Sequence, residues 1–301
     1  MHHATMHSTR QNETTHTRSA TSRSAATGPG MASTINATQI EDVRLAVYHA
    51  FRTTCRGPSV LSLEDHTGHA AEIVRAALVS LHVSRDVVLS SAALSAFQAD
   101  RVRHMSPDAA SLVKQAPALN SPHPSVPDND LSRNHSIITM AHPFTSTPLG
   151  FSVMGRSGLW WGGCSWDAFA LAHLLPEEAP LLIATRCRGC DRPIALDVGP
   201  TAPPDDTTTV AHFLVPTSRM WDDVVHTCGN QRLFCGEGCV EAWCAREEVD
   251  KGYVMDLATL WRLASGWYAG RFERGYRRRE PIQAREYFRE VGLRGSFWGL
   301  E

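Results

Sequence analysis

In the stretch WWGGCSWDAFALAHLLP, residues 160–176, a thiol at Cys164 stands three residues before a carboxylate at Asp167. There an aromatic and glycine-rich segment gives way to an apolar helix. Residues three apart share one helix face, so both side chains can reach a single small ligand. The thiolate is the nucleophilic form of cysteine, and a neighbouring carboxylate can carry its proton, so the pair fits a reactive cysteine at a helix start. It fits equally an inert buried cysteine followed by an aspartate placed for the helix dipole.

The remaining cysteines sort by spacing. Cys187-x2-Cys190 sits at the turn between two predicted strands, and Cys235-x3-Cys239 lies where a loop enters a predicted helix. A knuckle plus a pair at a helix N-terminus is treble-clef-like and suits a structural zinc held by four thiolates, with no open coordination position. Cys244 could replace Cys239 in that set, Cys228 could join it, or all could be small buried residues. Cys55 stands alone and reads as structural. Cys228, in VVHTCGNQRLF, reads as exposed in a tight Gly-Asn turn, with His226 two residues away in a position to tune it. Two thiols and an aspartate from separate segments suit a soft, thiophilic ion or its organic derivative. The carboxylate clusters and glycine-rich phosphate loops of hard-metal and phosphate chemistry are missing from the sequence.

The elements that must position these groups follow from periodicity. Residues 1–38 read as a disordered tail, with Met31 an alternative start. Residues 39–95 carry helical patterns, the first with Val43, Val47, Ala50 and Phe51 at helical spacing, then two more helices about a turn at Gly68 and a short strand. That order is winged-helix-like, but the last helix offers only Arg75 as a basic residue, which argues against nucleic acid. Residues 96–135, rich in Pro, Ser, Asp and Asn, read as a linker or long loop. Residues 136–272 alternate strands and helices: a hairpin turning near Arg156–Gly158, a pair formed by APLLIATRC and RPIALDVGP, a strand at TTTVAHFLVP, and helices at EGCVEAWCAREEV and VMDLATLWRLASGWYAGRF. Residues 273–301 add a helical extension. The predicted class is α+β, with a mixed or antiparallel sheet. The chain of 301 residues is 43% hydrophobic and carries a formal charge of -2, so it is no globally basic nucleic-acid binder. No apolar run reaches membrane-spanning length, and a cytoplasmic protein is expected, its eight cysteines read as metal or reactive sites before disulfides.

Taken together, MAHPFTSTPLGFSV, GGCSWDAFALAHLL, ATRCRGCDRPIALDV, AHFLVP, DDVVHTCGNQRLFCGEGCVEAWC and VMDLATLWRLASGW resemble the alkylmercury lyase (organomercurial lyase) family over about residues 137–270, and more weakly over 40–90. The resemblance implies that Cys164 and Asp167 are catalytic and that Cys228 is the second catalytic cysteine, both sulfurs taking up mercury. It matches Cys187 to a structural cysteine, whereas Cys190, Cys235 and Cys239 look like a zinc set found in part of the family. Trp166 replaces a smaller residue, and the 100–135 loop and the segment after 272 are additional. The implied reaction is protonolysis of a carbon–mercury bond: the Cys164 thiolate attacks, Cys228 joins, and Asp167 delivers a proton to the leaving carbon. No cofactor is required beyond the structural zinc. Cytosolic thiols or mercuric reductase would accept the Hg(II). Trp160, Trp161 and Trp166 would either wall a pocket for the organic group or belong to the core. Two other readings compete: a non-enzymatic zinc-stabilised binding module of the same fold, and a winged-helix regulator sensing metal through Cys164 and Cys228.

Overall fold

Helix α1 (Ala37–Thr54) starts at a capping box, with the Asn36 side chain accepting from the Gln39 N–H at 2.9 Å and Gln39 returning the bond at 3.0 Å. Its Val43, Val47 and Phe51 are buried as the spacing predicts, while Ala50 is half-buried. The computed structural model describes residues 35–103 and 136–301. The expectations for the tail and for most of the linker fall outside those residues. Helices α2 (Val60–Thr67) and α3 (Ala71–Val83) flank Gly68, whose φ of 71° is the left-handed conformation that closes α2. Strand β1 (Val88–Leu89) follows, then α4 (Ser91–Arg103), which runs across the expected boundary at residue 96.

β1 does not remain with the helices. It pairs antiparallel with β2 (Ile138–Ala141), the first strand after the linker, and so joins the N-terminal helices to the main sheet. That sheet continues with β3 (Phe144–Thr145), β4 (Phe151–Met154), β5 (Leu159–Gly162), β6 (Leu181–Arg186) and β7 (Pro193–Val198), in the order β1-β2-β3-β5-β4-β6-β7 and antiparallel throughout. Both expected strand pairs, β4 with β5 and β6 with β7, are present. β7 alternates exposed and buried residues along its length, the mark of a strand with one face on the core.

Helix α5 (Ser165–Leu174) is buried on almost every side from Ser165 to Ala172, the pattern of a helix enclosed by other elements. It packs against β4, β5, β6, a second sheet and the later helix Leu257–Trp267. The second sheet has β8 (Val210–Phe213) between β9 (Gln231–Phe234) and β10 (Tyr253–Asp256). Helix α6 (Val224–Gly229) leads into β9, and α7 (Glu237–Glu247) follows it. α8 (Leu257–Trp267) and α9 (Pro281–Glu290) complete the order. Two segments differ from the sequence reading. VMD was expected to be helical but forms β10, because Asp256 caps α8 by accepting from the Thr259 N–H at 2.6 Å and so ends the helix on its upstream side. QRLF was not read as a strand; all four of its residues are buried, so it shows no alternation.

One buried arginine ties the two ends of this unit together. Arg271, 1% exposed, donates to the His142 carbonyl at 3.3 Å and pairs with Asp86 at 3.2 Å. Its own carbonyl accepts from Arg44 of α1 at 2.8 Å, and Tyr48 of α1 donates to the Asp86 and His142 carbonyls at 2.9 and 3.3 Å. Replacing Arg271 by Met keeps much of the volume but removes the ion-pair partner of Asp86 and leaves the Asp86 and His142 carbonyls with Tyr48 alone. The expected loss is about 2–4 kcal/mol in urea unfolding, with an unchanged m-value; a loss below 0.5 kcal/mol would sink this account.

Candidate active site

Cys164 ends the β5 hairpin and is the N-cap of α5. Its backbone is extended, and its sulfur accepts from the Asp167 N–H at 3.3 Å, in the place a Ser or Thr hydroxyl usually takes. The first turn of α5 therefore aims unpaired N–H groups and the positive helix end at the thiol. Gly163 makes room for this turn, because a Cβ there would collide with Asp167 Oδ2 and the Met140 side chain.

Asp167 is 1% exposed, and every charged carboxylate so deep needs partners. Tyr268, just past the end of α8, donates its hydroxyl to Oδ1 at 2.6 Å. His142, between β2 and β3, places Nδ1 3.2 Å from Oδ2. Cys228 of α6 puts its sulfur 3.9 Å from the same Oδ2 and is close enough to Cys164 for the two thiols to shift each other's ionisation. Two separate segments thus meet here, the start of α5 with Cys164 and Asp167, and α6 with Cys228. The sequence reading of Cys228 is corrected: it is buried and helical, not exposed in a turn, because α6 packs its Val224, Thr227 and Cys228 inward. His226 points away, exposed and beside Asn230.

His142 and Tyr268 went unnoticed in the sequence. Nothing in their spacing links them to Asp167, which lies 25 and 101 residues away. Only the burial of a carboxylate, once known, demands such partners.

The charges within the cluster make the two thiols unequal. Burial pushes the Cys164 thiol well above its ordinary value, and its bond with Cys228 and the charge of Asp167 push it further. Cys228 moves down, its ionised form favoured by the hydrogen bond from Cys164 and by the imidazolium of His142, against the cost of burial. Burial disfavours a charged His142, yet the charges of Asp167 and Cys228 outweigh it and raise its pKa to about 10. The cluster therefore favours ionising Cys228 before Cys164, with His142 as the cation beside them.

The cluster lies in the wall of a cavity of about 750 Å³, ample for a small organic ligand. Trp166, Trp267, Trp298 and Phe288 supply an aromatic side; Trp166 stands 4.9 Å from Trp267, ring centre to ring centre. Of the three tryptophans weighed as a pocket wall, Trp166 alone lines this cavity. The Trp160 indole instead donates to the Phe51 carbonyl at 2.8 Å and fastens β5 to α1, and Trp161 is half-buried on β5.

A second sulfur cluster includes Cys235, which follows the far end of β9. The sulfurs of Cys187, Cys190 and Cys235 lie within 4.8 Å of one another, with Cys190 to Cys235 at 3.7 Å. The Cys235 N–H donates to the Cys187 sulfur at 3.5 Å, and Cys239 packs against Gly189 of the knuckle. Cys228 belongs to the Asp167 cluster and not to this one.

Residues 144–269 match the family model of alkylmercury lyase, MerB. Among solved structures, the crystal structure of the mercury-bound form of MerB2 is similar at 14% sequence identity, over 76% of this chain and 89% of that one, with a TM-score of 0.49. No curated protein matches the chain. The matched segment holds Cys164, Asp167, Cys228 and Tyr268 but begins after His142.

His142 makes stability depend on pH in a defined sense. Its folded pKa, about 10, lies above the ordinary 6.5. Its contribution is therefore complete below pH 6.5 and disappears as pH climbs through 10. The lowered thiol of Cys228 acts in the opposite sense, so the comparison is between wild type and His142→Gln at each pH. The expected Tm gap is roughly 3–6 °C at pH 6.5, closing by pH 10. A gap that stays constant with pH would show that the imidazole is neutral in the fold.

Proposed function

We propose that the chain, whose residues 144–269 match the family model of alkylmercury lyase, cleaves the carbon–mercury bond of organomercurials by protonolysis, releasing a hydrocarbon and Hg(II). The observation supporting this is the convergence of two buried thiols on one buried carboxylate beside an aromatic cavity. The electrostatics favour a particular order of events. The Cys228 thiolate captures the soft mercury of R–Hg⁺ first. Cys164 then passes its proton to Asp167 and becomes the second sulfur ligand, its charge met by the Asp167 N–H and the end of α5. Two thiolates on mercury weaken its bond to carbon, and Asp167 hands the Cys164 proton to the departing carbon. Charge and protons balance: R–Hg⁺, one thiol and one thiolate give R–H and a mercury bis-thiolate. Tyr268 and His142 hold Asp167 in line for both transfers, and thiols or a reductase in the cytosol carry the Hg(II) away.

The proposal extends to the second cluster as a structural zinc site of Cys187, Cys190, Cys235 and Cys239. Thiolates about 2.3 Å from a tetrahedral zinc stand about 3.8 Å apart, and the 3.7 Å between Cys190 and Cys235 fits that spacing. The proposal also includes the winged-helix-like reading of helices α1–α3 with the β1–β2 pair, as a packing module on the catalytic part.

Two measurements test these proposals. Purified protein given a phenylmercury salt and excess thiol should release benzene, read by headspace gas chromatography. Cys164→Ala and Cys228→Ala should release none above the uncatalysed rate, and Asp167→Asn should lose about 10²–10⁴-fold. Absence of benzene from folded wild type would leave a metal-binding module as the reading. For the second cluster, elemental analysis should find zinc in wild type and lose it in Cys190→Ser, with a fall in Tm; a metal-free wild type of equal Tm would remove zinc from the account.

A further inference from the structure

The mouth of the active-site cavity is basic in a way that the proton and mercury chemistry does not use. Arg85, Arg277, Arg278, Arg279 and Arg285 line the same cavity as Cys164 and Cys228. Among the described residues none of the five has an ion pair. Of the carboxylates at this mouth, Asp86 is engaged by Arg271 at 3.2 Å, which leaves exposed Glu280 as one acidic group among five arginines. Arg85 and Arg278 both stack on Trp221, at 5.7 and 4.9 Å from its ring centre. Arg277 and Arg285 are exposed with no hydrogen-bond partner among the described residues. Trp166, on the same cavity, buries an indole N–H with no partner among them. Unpaired cations crowded about one concavity favour an anion there. All but Arg85 come from the segment after the family match, so this feature belongs to the chain's own extension.

We infer that this mouth binds the carboxylates of an anionic thiol whose sulfur meets mercury at Cys164 and Cys228. The inference rests on the lyase reading. A ligand of this cavity must satisfy both ends, a soft sulfur for mercury and an anion for the arginines; a phosphate has only the second. The exchange balances without redox change. Each entering thiol bonds through sulfur to Hg(II), one cysteine–mercury bond breaks, and the thiol's proton passes to the freed cysteine. Two such steps leave Hg(SR)₂ and both cysteines as thiols, and release of one proton from Cys228 to solvent restores the thiol and thiolate pair that takes up the next R–Hg⁺.

The test follows benzene release from phenylmercury with mercaptosuccinate, 2-mercaptoethanol or cysteamine as the thiol, for wild type and Arg277→Gln/Arg285→Gln. Taking the wild-type to variant ratio for each thiol cancels that thiol's own reactivity. The ratio of kcat/KM should be about threefold to tenfold for mercaptosuccinate, smaller for 2-mercaptoethanol and inverted for cysteamine, and it should shrink as NaCl is raised. An effect confined to multiple turnover would assign the anion to the thiol that removes Hg(II). An effect also present in a single turnover would assign it to the incoming organomercury–thiol adduct. Equal ratios for the three thiols would overturn the inference while leaving the lyase standing. No benzene with any thiol would overturn the lyase, and the inference with it.

Discussion

The structure is organised around a carboxylate that should not be buried. Asp167 sits 1% exposed in the first turn of a helix enclosed on nearly all sides. An isolated ionised carboxylate there would be prohibitively costly, so its two oxygens must be met by donors. Tyr268 meets one and His142 the other, while the Asp167 backbone N–H turns to Cys164. Each donor comes from a different element, and the cluster exists only where those elements meet.

That requirement explains the supports further out. His142 is held by its carbonyl, which accepts from both Arg271 and Tyr48, and these two reach it from the segment after α8 and from α1. β1 crosses from the helical part to pair with β2, the strand that leads into His142. The N-terminal helices therefore do more than pack beside the site. They fix the backbone of the residue whose charge favours the Cys228 thiolate.

The eight cysteines divide their chemistry by surroundings rather than by type. At Asp167 two neighbouring thiols stand beside one cation, and their surroundings push the Cys228 thiol down and the Cys164 thiol up. In the knuckle cluster three sulfurs face one another near the surface, with Arg192 donating to Cys190 at 3.5 Å. β9 runs between the two clusters, carrying Cys228 before its start and Cys235 after its end. A four-residue strand with every side chain buried keeps one set of sulfurs apart from the other.

Local spacing was enough to single out Cys164 with Asp167, the Cys187–Cys190 knuckle, the two hairpins and the apolar character of α5, because each is written within about 20 residues. Composition and motif together were enough to point to a family. Spacing could not show that Cys228 is buried, since six residues of α6 carry no visible period, nor that VMD is a strand, since its partner β8 lies 40 residues earlier. His142, Tyr268 and the arginine mouth were silent for the same reason. A histidine, a tyrosine and a run of arginines have no signature until the chain folds them about one cavity. Residue types and short spacings determined which chemistry was available. Long-range packing alone decided which thiol is the more easily ionised, because that depends on a cation and a carboxylate brought from distant parts of the chain into one buried cluster.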